Sequence, residues 1–286
     1  MKRHALKLGA VLAVVMAGAC YSLDPFLYGR TRVDHYTLPA KGATPEETVP
    51  PERIEPVELV AEGGRVRLGA AYVRAAQQPP LGYVLYFHGV CCNLDAHIAR
   101  PKGLSNLGYD VLVFDYRGWG TSTDVEPSEP GLLEDSRAAL AWLSARAGVP
   151  AERLIYYGRS FGAAVATQLA VDAPPAALIL ESPFTSVQGL VRDSGNLDIP
   201  AGYLSEGEWN TEGRLPTLRG VPLLLLHGRA DDFVRPEFSE RLYSVANEPK
   251  QLILVDGADH EDVPQRLGER YPRTLGLFLE GSRAGP

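Results

Sequence analysis

The sequence contains few cysteines and no block of basic residues, and each shortage argues against a class of function. Only three cysteines occur in 286 residues, and no group of His, Cys, Asp or Glu has the spacing of a metal site. The formal net charge is −7, which disfavours nucleic acid and anionic membrane surfaces as main partners. The sequence therefore predicts no metal, no cofactor and no nucleic-acid partner.

The apolar run near the N-terminus is too short to cross a bilayer as a helix. Residues 8–19 are apolar or small, follow Lys2, Arg3 and Lys7, and end directly before Cys20. Such a run is typical of the core of a secretory signal peptide. Small residues before a cysteine also resemble a bacterial lipobox, in which Cys20 would carry the lipid.

This organisation predicts three segments in an exported protein. Residues 1–20 are a lipoprotein-type signal peptide, residues 21–51 a proline-rich tether, and residues 52–281 the catalytic domain. Because no aspartate follows Cys20, similarity to bacterial lipoproteins favours a lipid anchor in the outer membrane, on its periplasmic side. The alternative is a secreted protein whose ordinary signal peptide is removed.

The other two cysteines, Cys91 and Cys92, are adjacent. A disulfide between neighbouring residues is strained. One interpretation is therefore a pair of small buried thiols. The other is a strained vicinal disulfide that acts as a redox switch in the exported protein.

Short apolar strands alternate with helical segments along most of the chain, which predicts an α/β fold. A mostly parallel central sheet with helices on both faces follows from this alternation. The active site of such a sheet lies at the carboxyl ends of its strands. Strands are expected at 57–61, 65–73, 83–87, 110–116, 154–157, 177–180, 221–226 and 251–255, and helices within 94–107 and at 131–147, 160–171, 236–245 and 263–279.

The pentapeptide at residues 158–162, Gly-Arg-Ser-Phe-Gly, lies between an apolar strand and a helix of small residues. A serine at the tip of such a sharp turn has its hydroxyl exposed above the sheet, as in a nucleophile elbow. The flanking glycines are expected because a Cβ at either position would crowd the turn. Ser160 is therefore the candidate nucleophile.

A serine nucleophile needs a histidine base that is oriented by a carboxylate. His260 follows the last predicted strand, and Asp231 and Asp232 follow the strand before it. The chain order Ser, Asp, His is the order expected for a nucleophile elbow. The residues alone leave the two aspartates as alternatives, and the one not used would cap the next helix.

The remaining histidines are weaker candidates for the base. His4 lies in the signal peptide and His35 in the tether, while His97 is expected on a surface helix. His88 and His227 each follow a strand and precede a glycine. They are interpreted as structural residues that hold loops at the edge of the sheet.

The reaction also needs two backbone N–H donors for the developing oxyanion. One is expected from Phe161, directly after the nucleophile, at the positive end of a helix. The other is expected from the loop after strand 83–87, where Val90 is the candidate.

Taken together, these motifs resemble the α/β-hydrolase superfamily. The most similar branch is that of small serine hydrolases with a reduced lid, such as acyl-protein depalmitoylases and prolyl-oligopeptidase-like esterases. The resemblance implies an α/β-hydrolase fold over roughly residues 57–279, and the offset from residues 227–228 favours Asp231 over Asp232. The motifs that carry it are residues 88–89 (HG), 115–122 (DYRGWGTS), 158–162 (GRSFG), 181–186 (ESPFTS), 227–231 (HGRAD) and 257–260 (GADH).

The same resemblance places a lid between Thr185 and Gly220. The segment is short for a lid and contains Tyr203 and Trp209 as candidate walls of an acyl-binding pocket. A small lid favours an open site and short-to-medium acyl chains. The alternative is that these aromatic residues only pack the segment onto the body of the domain.

The sequence thus predicts an exported serine hydrolase that cleaves carboxylic ester or thioester bonds through an acyl-Ser160 intermediate. A serine peptidase of the prolyl-oligopeptidase-like type is an alternative, although such peptidases usually carry a propeller or a larger lid. A non-catalytic envelope binding module is a second alternative. The complete set of Ser160, Asp231 and His260 weighs against it.

Overall fold

The computed structural model describes residues 28–38, 48–193 and 209–283. Cys20, the expected signal peptide and Tyr203 lie outside these residues, as does much of the expected lid. Within the described ranges, no helix is both long enough and apolar enough to traverse a lipid bilayer.

The domain is built on one eight-stranded sheet, as the alternating pattern predicts. The strand order is β1-β2-β4-β3-β5-β6-β7-β8. Strand β2 pairs antiparallel with β1 and with β4, and every other pair is parallel. The strands are β1 Ile54–Ala61, β2 Val66–Val73, β3 Gly82–Phe87, β4 Tyr109–Phe114, β5 Ile155–Arg159, β6 Ala177–Glu181, β7 Leu223–Gly228 and β8 Lys250–Val255.

Nine α-helices are seen in the described part of the chain. Two of the expected helical segments are each divided into a pair. Residues 94–107 form two short helices, and residues 263–279 are broken at Gly268, whose φ is 53°. The helices are α1 Leu94–His97, α2 Pro101–Asn106, α3 Glu129–Ala147, α4 Phe161–Asp172, α5 Val187–Asp193, α6 Thr211–Arg214, α7 Glu237–Val245, α8 Val263–Leu267 and α9 Arg270–Arg283.

The core lies in two layers, one on each face of the sheet, which confirms the expected architecture. Alternate residues of a strand point to opposite faces. In β3, Leu85 and Phe87 belong to one layer, and Val84 and Tyr86 to the other. Helices α3, α4, α5 and α7 cover the first layer, and α1, α2, α8 and α9 cover the second.

Residues 28–38, which the sequence assigns to the tether, pack on this domain. Tyr28 is buried in the first core layer. The hydroxyl of Tyr36 donates a hydrogen bond to Asp115 Oδ2 at 2.7 Å, and the amide of Leu38 donates to Asp95 Oδ1 at 2.8 Å. The body of the protein therefore includes chain that precedes the sheet.

Candidate active site

Ser160 lies at the turn between β5 and α4, with φ 53° and ψ −120°. A positive φ is rare for a residue with a side chain, so this backbone is strained. The turn needs both flanking glycines. A Cβ on Gly158 would clash with the carbonyl of Gly162, and one on Gly162 would clash with that of Phe87. The local sequence therefore forms the sharp strand-turn-helix that the pentapeptide predicts.

His260 follows β8 and faces Ser160. Its Nε2 lies 2.9 Å from Ser160 Oγ, and its Nδ1 lies 2.7 Å from Asp231 Oδ2. The exposed ring of Phe233 stands edge-on to the imidazole, with a centroid distance of 5.1 Å. With Nδ1 donating to the carboxylate, Nε2 is free to accept the proton of the serine hydroxyl.

Asp231 follows β7 and is buried. Its second oxygen, Oδ1, accepts hydrogen bonds from the amides of Phe233 at 3.1 Å and Val234 at 2.8 Å. Burial alone would raise the pKa of Asp231, but hydrogen bonds from His227, His260 and the Val234 amide hold that pKa below its usual range. The carboxylate is thus negatively charged at neutral pH and fixed toward His260.

The two nearby aspartates, Asp232 and Asp259, are placed differently from Asp231. Asp232 is exposed to solvent. Asp259 Oδ1 accepts hydrogen bonds from the amides of Glu261 at 2.8 Å and Asp262 at 3.1 Å, so it shapes the loop that carries His260. Of the two alternatives from the sequence, the structure brings Asp231 to His260.

The loop after β3 passes directly beside the serine. A Cβ placed on Gly89 would lie 3.5 Å from the Cβ of Ser160, and Val90 comes next in the chain. Among the described residues, no backbone acceptor pairs with the amide of Val90 or of Phe161. The Val90 carbonyl is held by Trp119 Nε1 at 3.0 Å. In the part of the chain that the structure describes, both amides are therefore left without a backbone acceptor near Ser160.

The structure corrects the expectation for His97, which is buried and not on a surface. Its Nε2 lies 2.6 Å from the carbonyl oxygen of Cys91, and its ring stacks on that of His88 at a centroid distance of 4.6 Å. Burial lowers the pKa of His97 well below its usual value. The residues around His97 in the sequence carry no signal that predicts this packing.

His88 and His227 are also buried beneath the loops. His88 Nε2 lies 3.1 Å from Asp115 Oδ1. His227 Nε2 lies 2.6 Å from the Val234 carbonyl oxygen and 3.2 Å from Asp231 Oδ2. His227 therefore supports the loop that positions the acid.

Cys91 and Cys92 are both free thiols. Cys91 is exposed and Cys92 is half-buried, so the interpretation of two buried thiols is wrong. They lie in the loop that contains Val90, between it and Asn93. Cys92 has a φ of 69°, which shows that this loop is tightly turned.

Trp209, a candidate pocket wall, is fully buried. Its ring stands edge-on to Phe161 at a centroid distance of 4.9 Å, and its Nε1 donates to the Tyr28 hydroxyl at 3.2 Å. Trp209 thus packs against the residue that follows Ser160. Its role as a wall of an acyl pocket stays a prediction, as does that of Tyr203.

Two arginines near the site, buried Arg159 and half-buried Arg100, were not singled out by the sequence. Arg159, inside the elbow itself, donates to the carbonyl oxygen of His260 at 2.7 Å. Arg100 donates to the carbonyl oxygen of Glu261 at 2.5 Å and pairs with the buried carboxylate of Glu181. The one available sequence signal was Arg159, a charged residue inside an otherwise uncharged elbow at residues 158–162.

A family model described as serine aminopeptidase, S33, matches residues 78–205. An uncharacterised protein of Mycobacterium tuberculosis is 36% identical over 270 residues, which cover 93% of this chain and 92% of that protein. Lysophosphatidylserine lipase ABHD12 of Macaca fascicularis is 35% identical over 184 residues, covering 57% of this chain and 45% of the lipase.

Solved structures give the same picture of the fold. The esterase domain of a Rhodothermus marinus protein is 27% identical, with a TM-score of 0.57, covering 80% of this chain and 98% of that domain. A Pyrococcus furiosus esterase is 23% identical, with a TM-score of 0.69, covering 90% of this chain and 98% of the esterase. The α/β-hydrolase fold predicted from the motifs is confirmed. The narrower likeness to depalmitoylases stays a prediction.

Proposed function

We propose that this chain, which belongs to the same family as the Mycobacterium tuberculosis protein and has the α/β-hydrolase fold, is a serine hydrolase that cleaves carboxylic esters or thioesters. The observation that carries this proposal is the hydrogen-bonded series Ser160–His260–Asp231. All three side chains come from the carboxyl ends of strands, where α/β sheets place their active sites.

In the first half of the reaction, Ser160 Oγ attacks the carbonyl carbon of the substrate while its proton passes to His260 Nε2. Asp231 stays ionised and stabilises the imidazolium that forms. The tetrahedral intermediate places its negative oxygen toward the amides of Phe161 and Val90. Collapse breaks the bond to the alcohol or thiol, which takes the proton from His260 and leaves an acyl-Ser160 ester.

Water completes the cycle by the same route. His260 Nε2 takes a proton from a water molecule as its oxygen attacks the acyl carbon. The second tetrahedral intermediate then releases the carboxylic acid, and the proton returns to Ser160 Oγ. No metal or cofactor takes part in this scheme.

Esters are the preferred substrate class because the similar proteins with stated activities are an esterase domain and a lipase. Peptide hydrolysis is a second candidate, since the matching family model is described as serine aminopeptidase. The exposed ring of Phe233 beside His260 favours a substrate with an apolar part at this position. Ester hydrolysis and peptide hydrolysis would use the same residues, so the two candidate functions are separated by which substrate class is turned over.

The test is detection of the acyl-enzyme by mass spectrometry after mixing with p-nitrophenyl esters of increasing chain length. An acyl mass on the peptide containing Ser160, absent from Ser160→Ala, is the expected result. Parallel assays with acyl thioesters and aminoacyl p-nitroanilides separate the substrate classes. No adduct and no turnover from a folded protein would reject the proposal, and turnover of anilides alone would replace esterase by peptidase.

The chain is further proposed to be exported and anchored through a lipid on Cys20. The support is the order of basic residues, short apolar run and cysteine in residues 1–20. Fractionation of cells that express the wild type and Cys20→Ser tests this. The wild type is expected in the outer membrane and the variant in a soluble fraction, while a cytosolic wild type would contradict export.

A further inference from the structure

We infer that Arg159 and Arg100 are positioning residues that together hold the His260 loop at its working distance from Ser160. The inference rests on the proposed function, because it assigns these arginines a role in the efficiency of that reaction. Neither arginine is part of the Ser160–His260–Asp231 series, and neither contacts Ser160 Oγ in the structure.

The two guanidinium groups hold two successive peptide carbonyls. Arg159 Nη2 donates to the carbonyl oxygen of His260 at 2.7 Å, and Arg100 Nη2 donates to that of Glu261 at 2.5 Å. Arg159 Nη2 also pairs with the Glu261 carboxylate at 2.5 Å. The backbone that carries the imidazole is therefore held at two adjacent carbonyl groups.

These contacts are made at a cost, since the charged groups lie inside the protein. Arg159 is 2% exposed and Glu181 is completely buried. Burying a charge is unfavourable unless it is paired and hydrogen-bonded. Glu181 supplies the compensating charge, because its carboxylate pairs with Arg100 and accepts a hydrogen bond from Tyr157 Oη at 2.5 Å.

Glu181 also connects this cluster to the nucleophile. Its carbonyl oxygen accepts a hydrogen bond from the amide of Ser160 at 2.8 Å, while Arg159 and Glu181 are register partners on β5 and β6. The turn carrying Ser160 and the loop carrying His260 are therefore attached to one residue pair. A purely stabilising ion pair would not need to terminate on the backbone of the catalytic loop.

A small displacement of this loop has a large expected effect on rate. Ser160 Oγ and His260 Nε2 are 2.9 Å apart, and proton transfer requires a separation of about 2.6–3.2 Å. Misplacement of a reacting group by about 1 Å can cost on the order of 100-fold. Loss of either guanidinium should lower kcat more than it raises KM, because both groups act by holding the backbone carbonyls of the His260 loop.

The experiment compares Arg159→Met, Arg159→Lys and Arg100→Met with the control Arg117→Met. Arg117 is also a buried arginine, paired with buried Asp135 at 2.7 Å, and its side chain bonds to Asp135 and Glu62, not to the His260 loop, within the described part of the chain. Active sites are titrated with a fluorophosphonate, so that kcat is expressed per competent site. Turnover of p-nitrophenyl acetate and melting temperature are then measured for each variant.

For Arg159→Met we expect kcat per titrated site to fall about 10- to 100-fold, with a smaller loss in Arg159→Lys, whose ammonium can still donate one hydrogen bond. Arg100→Met should behave like Arg159→Met. Arg117→Met should lower the melting temperature without lowering kcat per site. Wild-type kcat per site in Arg159→Met and Arg100→Met would overturn the inference.

A second measurement separates this inference from the proposed function. The proton on His260 Nδ1, which is hydrogen-bonded to Asp231, gives a downfield NMR resonance that requires no substrate. It should be sharp in the wild type and in Arg117→Met, and broadened or lost in Arg159→Met. If the wild type turns over no ester, the proposed function fails and kcat cannot be compared. The resonance then tests the positioning role alone, and an unaffected resonance in Arg159→Met would reject that role.

Discussion

Tyr28 and Phe161 pack edge to face, with ring centroids 5.8 Å apart, so a residue upstream of the sheet supports the residue that follows Ser160. The same tyrosine hydroxyl accepts the hydrogen bond from Trp209 Nε1 at 3.2 Å. Three aromatic side chains from distant parts of the sequence thus lie together behind the nucleophile turn.

Replacing Tyr28 by alanine should lower the free energy of unfolding by about 3–5 kcal/mol, as for other large buried side chains. Tyr28→Phe keeps the ring but leaves the buried Trp209 Nε1 without this acceptor, which costs about 1–3 kcal/mol. Urea unfolding of the two variants measures both values. Equal stability of Tyr28→Ala and the wild type would contradict the packing described here.

The two adjacent aspartates give a matched pair of substitutions. Asp231→Asn should lower kcat by about 10⁴-fold, because an amide favours the wrong tautomer of the base. Asp232→Asn, at an exposed position, should leave kcat close to the wild-type value. Steady-state ester hydrolysis measures both, and the reverse order of effects would move the acid to Asp232.

Gly162 tests how closely α4 approaches the end of β3. A methyl group there would meet the carbonyl groups of Phe87 and His88, and such backbone atoms cannot move without displacing the loop that contains Val90. Gly162→Ala should therefore cost about 3 kcal/mol or more and remove most activity.

Gly276, inside α9, is the control for that substitution. A Cβ there would have only Leu107, at 4.0 Å, near it, so Gly276→Ala should stabilise the fold by about 0.5–1 kcal/mol. Thermal unfolding of both variants is the measurement. A Gly162→Ala protein with wild-type stability would show that the turn can relax.

The buried carboxylate of Glu181 predicts a pH-dependent stability. Burial would raise the pKa of Glu181, but Arg100, Arg159 and the Tyr157 hydroxyl together hold that pKa below its usual value. The unfolded chain therefore binds the proton more tightly, and the stabilisation is present at neutral pH and lost as the pH falls below about 4.

Unfolding in urea at pH 7 and at pH 3.5 tests this for the wild type and Glu181→Gln. At pH 7 the wild type should be clearly more stable than Glu181→Gln, and at pH 3.5 the difference in the free energy of unfolding between the two should be smaller. Glu134→Gln, at a half-exposed ion pair, should show only a small difference at either pH. An advantage of Glu181 that is independent of pH would mean that the carboxyl group is not ionised in the folded protein.

The sequence was most informative where local geometry and chemistry are both demanding. The turn at Ser160 needs two glycines, and each remaining member of the series follows a short apolar strand, so position along the chain sufficed to find His260. Asp231 and Asp232 could not be separated by position, because adjacent residues in a loop point in different directions only once the loop is folded.

The residues that the sequence did not reveal act through long-range packing. His97 was expected on a surface helix, but it is buried and its ring stacks on that of His88. Arg100 and Arg159 are brought to the His260 loop by strand order and not by spacing. Tyr28 lies in the segment assigned to the tether, and its partners Phe161 and Trp209 are more than a hundred residues away in the sequence.

The order of the groups along the chain has a consequence for biosynthesis. Strand β8 and His260, which follows it, are synthesised after Ser160. Strand β8 forms one edge of the sheet. A polypeptide that is still being translated carries Ser160 before His260 has been added. The Ser160–His260 hydrogen bond can form only after β8 has joined this edge of the sheet, so a nascent chain lacks the proton acceptor of the proposed reaction.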